Sequence, residues 1–434
     1  MSEAATARTV MPHGLSEMVR HRRVLTASLV GTTVEFYDFY IYATAASLVF
    51  GPLFFPAHSP SAQLMAAYAS FALAFLARPL GAAVFGHYGD RIGRKSTLVA
   101  SLLLMGASTF LIAFLPTYAM IGWVAPLLLC ILRFGQGFGL GGEWGGAALL
   151  AVENAPPGWR ARFGMMPQLG APLGFIAANG LFLLLGLWLT EADFLSWGWR
   201  IPFIASALLV ILGLWVRLRL NETPEFKAAL EAEPPAPIPL AELFSRHGRA
   251  TMAGTLSVVC CFALFYISTA FSLGYATVNL GMARDEVLLI QLAAIVMLAL
   301  GIIIASWWSD LQSASKALIA GCAATVPLGF VFGAGFSAEA PLALFLVLAV
   351  ALFLMGFAYG PLGEWLTALF PPRVRYSGSS FAFNVGGILG GALAPMAAQF
   401  LVSTQGVSAV GLYLSAAALV SLIGIAWLAP RQAA

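Results

Sequence analysis

A few ionisable side chains fall inside stretches that are otherwise apolar enough for a membrane: Glu35, Asp38, Arg78, Arg133, Glu143 and Glu364. A charge at the centre of a bilayer costs at least about 2.5–3.5 kcal/mol on insertion scales, so each of these needs a partner or a task. Glu35, Asp38 and Tyr42 stand at i, i+3 and i+7, which puts them on one face of a helix. Two carboxyls that close in a dry site do not both ionise cheaply, so one is expected to hold a proton and exchange it near neutral pH. The competing use is a structural ion pair with Arg78 or Arg133. Two acids, where a pair needs one, favour proton coupling.

Further along, Arg133, Gly137, Leu140 and Trp144 form one helical stripe with Gln136 at its edge. A guanidinium offers a planar fork that matches a carboxylate, and an indole beside it suits a ring or carbon skeleton. Arg133 therefore reads as a ligand for an anionic substrate or as a counter-ion for the acids at 35 and 38. Gly137, Gly141 and Gly145 predict close packing of this helix. Arg78 precedes Pro79, which frees a backbone carbonyl, so it either binds an anion or satisfies that carbonyl. Glu143 and Glu364 lie nearer helix ends and are expected to hold loop arginines in an inner gate. Tyr359 and Asn384, with Tyr275 and Gln399, could complete a cavity from the second half of the chain; each alone reads equally as a helix-to-helix hydrogen bond.

A charged island, Gly86-His87-Tyr88-Gly89-Asp90-Arg91-Ile92-Gly93-Arg94-Lys95, separates two long apolar runs. Gly86 permits close helix approach, Asp90 can face a helix N-terminus, and Arg91, Arg94 and Lys95 hold the loop on the cytoplasmic side. Asp90 is expected to meet the helix end near Tyr376 to Ser380. Ser306-Trp307-Trp308-Ser309-Asp310-Leu311 is a worn copy that keeps the aspartate and loses the Gly and Arg positions, so gating is expected to rest more on the first copy.

The elements that must position these residues are helices in a bilayer. Of 434 residues, 60% are hydrophobic and 9% charged, where soluble proteins carry roughly 25% charged. Taking roughly 20 apolar residues per span, twelve spans are expected, near 25–51, 63–88, 97–115, 122–151, 165–188, 200–216, 251–276, 286–308, 317–336, 341–367, 378–402 and 408–428. With the N-terminus inside, most of the 22 basic residues fall in cytoplasmic segments, which places both termini there. The net charge of +3 is this bias and implies no nucleic-acid partner. Residues 1–24 read as a cytoplasmic tail, 25–216 as a first six-helix bundle, 217–250 as a Pro-interrupted cytoplasmic linker and 251–429 as a second bundle. Arg160-Ala161-Arg162-Phe163 recurs as Arg373-Val374-Arg375-Tyr376, each with prolines upstream and a Gly-rich helix downstream, a weak internal repeat. The four cysteines lie in apolar segments without a CxxC pair, so neither disulfide nor metal site is expected.

The pattern GxxxDRxGRK at 86–95 resembles the loop between helices 2 and 3 of major facilitator superfamily transporters. The resemblance sharpens at Val34-Glu35-Phe36-Tyr37-Asp38-Phe39, at Arg133-Phe134-Gly135-Gln136-Gly137 running to Gly141-Gly142-Glu143-Trp144-Gly145-Gly146, at Trp197-Gly198-Trp199-Arg200-Ile201-Pro202, and at Pro372-Arg373-Val374-Arg375-Tyr376-Ser377-Gly378. Together these are similar to the metabolite:proton symporter family, the first half most to bacterial shikimate permeases. Ala368 stands where relatives often carry an acid. The resemblance implies an all-helical fold of two pseudo-symmetric six-helix bundles, a bacterial inner-membrane location and proton-driven import of a small organic acid.

On that reading Asp38, Glu35 and Arg133 couple the proton. Arg133, Arg78, Gln136, Tyr42, Trp144, Tyr359 and Asn384 bind substrate, while Gly86, Asp90, Arg91, Gly93, Arg94, Glu143, Glu364 and Arg375 form the gate. No cofactor is expected beyond the coupling proton, and the partners are a carboxylate substrate and lipid, with the protein a monomer. A zwitterion such as betaine or proline is the alternative cargo. A membrane-embedded enzyme lacks support, because HExxH, a His cluster, an acidic metal motif and GxSxG are all missing; a solute sensor would need a signalling appendage. GxxxxGK[ST] is also missing, so the chain encodes no ATP drive.

Overall fold

Bilayer-length apolar runs leave the backbone no hydrogen-bond partner except itself, and helices form at every place where the sequence carries one. The computed structural model describes residues 11–57, 59–92, 94–218, 239–336, 340–371 and 374–428, with backbone alone at 11–15, 86–87, 89–92, 94–96, 98, 216–218 and 239–241. The helical rods are α1 (Arg22–Ala45, continued by Ala46–Phe50 and Gly51–Phe54), α2 (Pro60–Ile92), α3 (Arg94–Ile112), α4 (Val124–Leu140 and Glu143–Glu153), α5 (Arg160–Gln168 and Gly170–Trp188) and α6 (Ile201–Leu218). After them come α7 (Pro239–Ser257, Val259–Tyr266, Ile267–Phe271 and Ser272–Val278), α8 (Arg284–Leu311), α9 (Ala314–Phe332), α10 (Pro341–Tyr359 and Leu362–Ala368), α11 (Arg375–Gly387, Ile388–Ala392 and Leu393–Gln405) and α12 (Ser408–Leu428).

Ten of these are both long and apolar enough to cross a membrane. The other two fall short for separate reasons. α1 carries Arg22, Arg23, Glu35 and Asp38, and among the described residues the apolar stretch of α3 is Val99–Ile112. Most of the expected linker, residues 219–238, lies outside the described residues; its last part is already the start of α7, which kinks at His247 (φ −121°, ψ 19°).

Within the first half α2 crosses α4, α1 lies along α5, and α6 packs on α1 and α3. The same pairings recur in the second half: α8 with α10, α7 with α11, and α12 with α7 and α9. Across the halves α5 meets α8 and α2 meets α11. Glycine allows the tightest crossing: a Cβ on Gly137 would collide with the backbone of Ala74, and one on Gly141 with the backbone of Arg78. That contact sets α4 directly on α2 and brings their arginines together. α1, α7 and α11 each contain one π-helical turn, at Ala46–Phe50, Ile267–Phe271 and Ile388–Ala392. Such turns shift the helical register and free backbone carbonyls, often near functional sites.

Candidate functional site

The α2–α4 crossing places two guanidiniums in the middle of the first half. Arg133 is fully buried. Its Nη1 donates to Gln136 Oε1, its Nη2 to the Phe71 carbonyl at 3.5 Å, and its Nε meets no acceptor. Aromatic faces surround the rest of the group: its Cζ is 3.9 Å from the Tyr42 ring centroid, 4.3 Å from Phe39 and 4.9 Å from Phe71. Arg78 lies 4.3 Å from the same Phe39 ring and 4.5 Å from Phe75, and its Nε also lacks a partner. Two cations thus share one phenyl ring, with Tyr266 of α7 beside both. Desolvated cation–π contacts contribute about 2 kcal/mol or more each and soften a charge without neutralising it.

Asp38 is also fully buried, and its two carboxyl oxygens have no hydrogen-bond partner. No ion pair joins it to Arg133 among the described residues, so the expected counter-ion contact is not made. Gln136 stands in its place. Its Nε2 donates 2.8 Å to the Asp38 backbone carbonyl and 2.8 Å to Thr109 Oγ1, while its Oε1 occupies the Arg133 fork. Thr109, the hydroxyl beside the Asp38 carboxyl, gives its own proton to the Met105 carbonyl at 2.9 Å. Glu35 is buried on the side of Arg78 and Tyr359. Tyr42 completes the shared face, and its hydroxyl is hydrogen-bonded to Ser70 Oγ at 2.8 Å.

The second half covers this centre with neutral groups. Trp144 stacks on Phe383 of α11 with ring centroids 3.7 Å apart and planes 2° from parallel. Its Nε1 donates to Gln168 Oε1 at 3.1 Å, and Gln168 Nε2 donates to the Tyr359 carbonyl at 3.1 Å. The Tyr359 hydroxyl is buried without a partner. Asn384 Nδ2 donates 2.8 Å to the Gly141 carbonyl, and the Tyr376 hydroxyl donates to that of Gly142. Trp144 and Asn384 therefore seal the break in α4 against α11 instead of lining open space. A helix break frees carbonyls, and Asn384 and Tyr376 take up those of Gly141 and Gly142.

Both ends of the interface between the halves are latched. At one end Asp310 accepts from the Ala161 and Arg162 N–H groups at 2.9 and 3.1 Å and pairs with Arg162 Nε at 2.9 Å. The carboxylate sits on the N-terminus of α5, where the helix dipole favours an anion. Arg162 is sandwiched at 4.1 Å from Trp159 and 4.8 Å from Trp307. The worn copy of the charged motif thus makes a contact between the halves despite its missing Gly and Arg. The side chains of Asp90, Arg91, Arg94 and Lys95, together with Gly93, lie outside the described residues, and Gly86 is described in its backbone alone. At the same end Ser309 Oγ donates to Glu364 at 3.0 Å, Ser101 Oγ to Glu143 at 2.8 Å, and Arg375 Nη1 pairs with Glu153 at 3.9 Å. At the opposite end the Ala270 carbonyl in the α7 π turn accepts from Ser47 at 3.0 Å and Tyr68 at 2.7 Å, and Arg284 pairs with Glu191 at 3.0 Å.

Phe39, Thr109, Gln168 and Tyr266 were not singled out by the sequence, because neutral or aromatic side chains in an apolar helix carry no energetic flag. Ser47 and Tyr68 were missed for the same reason.

Comparison with known proteins agrees with this architecture. The family described as sugar (and other) transporter matches residues 24–236. An inner membrane metabolite transport protein of Escherichia coli (strain K12), YhjE, is 50% identical over 408 residues, covering 93% of each chain. The shikimate transporter of the same organism is 37% identical over 416 residues, covering 94% of each. A solved structure of the MFS proton:xylose symporter XylE bound to 6-bromo-6-deoxy-D-glucose superposes with a TM-score of 0.71 at 18% identity, covering 96% of each chain, which establishes the fold.

Proposed function

The chain belongs to the metabolite:proton symporter family of the major facilitator superfamily, and from that premise we propose that it imports a small organic acid, such as shikimate or a related carboxylate, together with a proton by alternating access. It is a multi-pass transporter of the inner membrane and not an enzyme. On this reading its twelve helices form two pseudo-symmetric six-helix bundles, 25–216 and 251–429, that rock about a midplane site, with both termini cytoplasmic.

The observation that carries the substrate class is Arg133, buried among rings with no carboxylate paired to it. A desolvated guanidinium without a counter-charge is costly, and a substrate carboxylate supplies that charge in matching geometry. An aromatic cluster also suits a quaternary ammonium, but here Arg78 and Arg133 already fill the ring faces and would repel one. A carboxylate is favoured over betaine for that reason.

Asp38 is the proton carrier in this scheme. A carboxylate stripped of water and donors is expensive, and a proton removes the expense. When Asp38 loses the proton it draws Arg133 from Gln136; when it regains one, Arg133 is released to substrate. Substrate and proton then travel together, with Glu35 tuning the exchange. At the cytoplasmic face Asp90 is expected to meet the start of α11, the counterpart of the contact that Asp310 makes at the start of α5.

The test is uptake by the purified protein in proteoliposomes. Shikimate should accumulate when the outside is acidified and leak back when a protonophore collapses the gradient. Uptake indifferent to the gradient defeats proton coupling, and a preference for betaine or proline over every organic acid offered defeats the substrate class.

A further inference from the structure

One small cavity lies between the halves, walled by α1, α5, α7 and α8, with Tyr40 and Phe175 as its rings. Two amides face it. Asn179 of α5 and Gln291 of α8 are each 1% exposed. The Thr44 hydroxyl donates to Asn179 Oδ1, which leaves Asn179 Nδ2 with no acceptor. Gln291 Nε2 donates to the Thr269 carbonyl at 2.8 Å, to Ser272 Oγ at 2.9 Å and to the Ser268 carbonyl at 3.3 Å, which leaves Gln291 Oε1 with no donor. Of the two amides that line the cavity, the one on α5 thus has a free donor and the one on α8 a free acceptor.

Among the groups a small organic substrate can carry, a hydroxyl both accepts and donates through a single atom. A carboxylate can only accept, an ammonium can only donate, and a quaternary ammonium does neither. Tyr40 lines this cavity and also feels the charge of Arg78, so the same ring looks toward both the amide pair and the arginine cluster. We propose that Asn179 and Gln291 form a hydroxyl-reading subsite, and that the substrate is therefore a hydroxylated carboxylate whose acid end sits at Arg133 and whose hydroxyl is clasped between the two halves. This rests on the carboxylate reading above and narrows it. Because one amide comes from each half, the hydroxyl also ties the halves together as they close.

The experiment compares two probes on purified protein in proteoliposomes: shikimate, and cyclohex-1-ene-1-carboxylate, which keeps the ring and acid and lacks the hydroxyls. The parent should bind shikimate at least about tenfold more tightly, because a site built around a hydroxyl leaves its polar groups unpaired with the analogue. Asn179→Leu and Gln291→Met should each erase most of that preference by weakening shikimate alone, and Asn179→Ser, which keeps a donor, should retain part of it. Unchanged binding of the analogue certifies that a variant is folded. A parent that binds both acids equally, or variants that weaken both alike, overturns the subsite and leaves the carboxylate reading standing. A parent that binds neither acid overturns the carboxylate reading itself.

Discussion

In the first half Gly137 and Gly141 let α4 lie on the backbone of α2; in the second, Gly356 and Gly360 let α10 lie on the carbonyls of Leu298 and Ile302 in α8. The two crossings use the same packing device. They differ in what they carry, since the first is lined by Arg78 and Arg133 and the second by Leu298, Ile302 and Phe353. The contrast extends further: among the described residues, the buried charged residues Glu35, Asp38, Arg78, Arg133, Glu143 and Arg162 all precede residue 218, the buried polar residues of the second half are Ser, Thr, Asn and Gln, and the Asp310 side chain, 1% exposed, is held by Arg162 of the first half. The two halves thus share their crossing geometry and differ in the charge at the crossing. Close helix approach is a demand of the fold, and buried charge is a demand of the chemistry.

The largest expected break in that contrast is Asp38→Asn, which mimics the protonated acid and should abolish pH-driven accumulation in proteoliposomes while sparing some substrate exchange. If the variant still accumulates substrate with the parent's pH dependence, the proton belongs to Glu35.

Arg133→Ala should come next. Loss of a charge-assisted contact costs about 2–5 kcal/mol, so binding of a carboxylate by isothermal titration should nearly vanish. Arg133→Lys should rescue little, because a point charge cannot reproduce the fork; unchanged affinity removes Arg133 from the site.

A smaller effect is expected at the latch that the second half does supply. Asp310→Asn discards an ion pair and the charge on two N–H bonds, about 1.5–3 kcal/mol. Spin labels across that face should then report a roughly tenfold or greater shift toward the open form, with affinity little changed. An unmoved distance distribution would mean that the Asp310 contact does not govern closure.

The finest test compares the crossings directly. Gly356→Ala puts a Cβ 2.6 Å from the Leu298 carbonyl oxygen, an overpacking cost of about 1–3 kcal/mol, and should lower the melting temperature without altering carboxylate affinity. Gly141→Ala should lower both, since it displaces the helix that carries Arg133. Equal effects on binding would erase the division between a charged and a neutral half.

Much of this molecule was legible in the chain alone, for a physical reason. A bilayer fixes how long an apolar run must be and makes each buried charge costly, so the positions of the helices stand out as apolar runs and the candidates Asp38, Arg78 and Arg133 as exceptions to an apolar background. Packing decided what those residues meet. That Gln136 occupies the Arg133 fork, that Phe39 serves two guanidiniums, that Trp144 and Asn384 seal α4 against α11, and that Asp310 rests on the start of α5 all depend on contacts between helices far apart in sequence. Neutral amides, hydroxyls and rings are cheap to place in a membrane helix, so Asn179 and Gln291 left no trace in composition or spacing. They acquire meaning only when four helices close around them and leave one donor and one acceptor unpartnered at the same cavity.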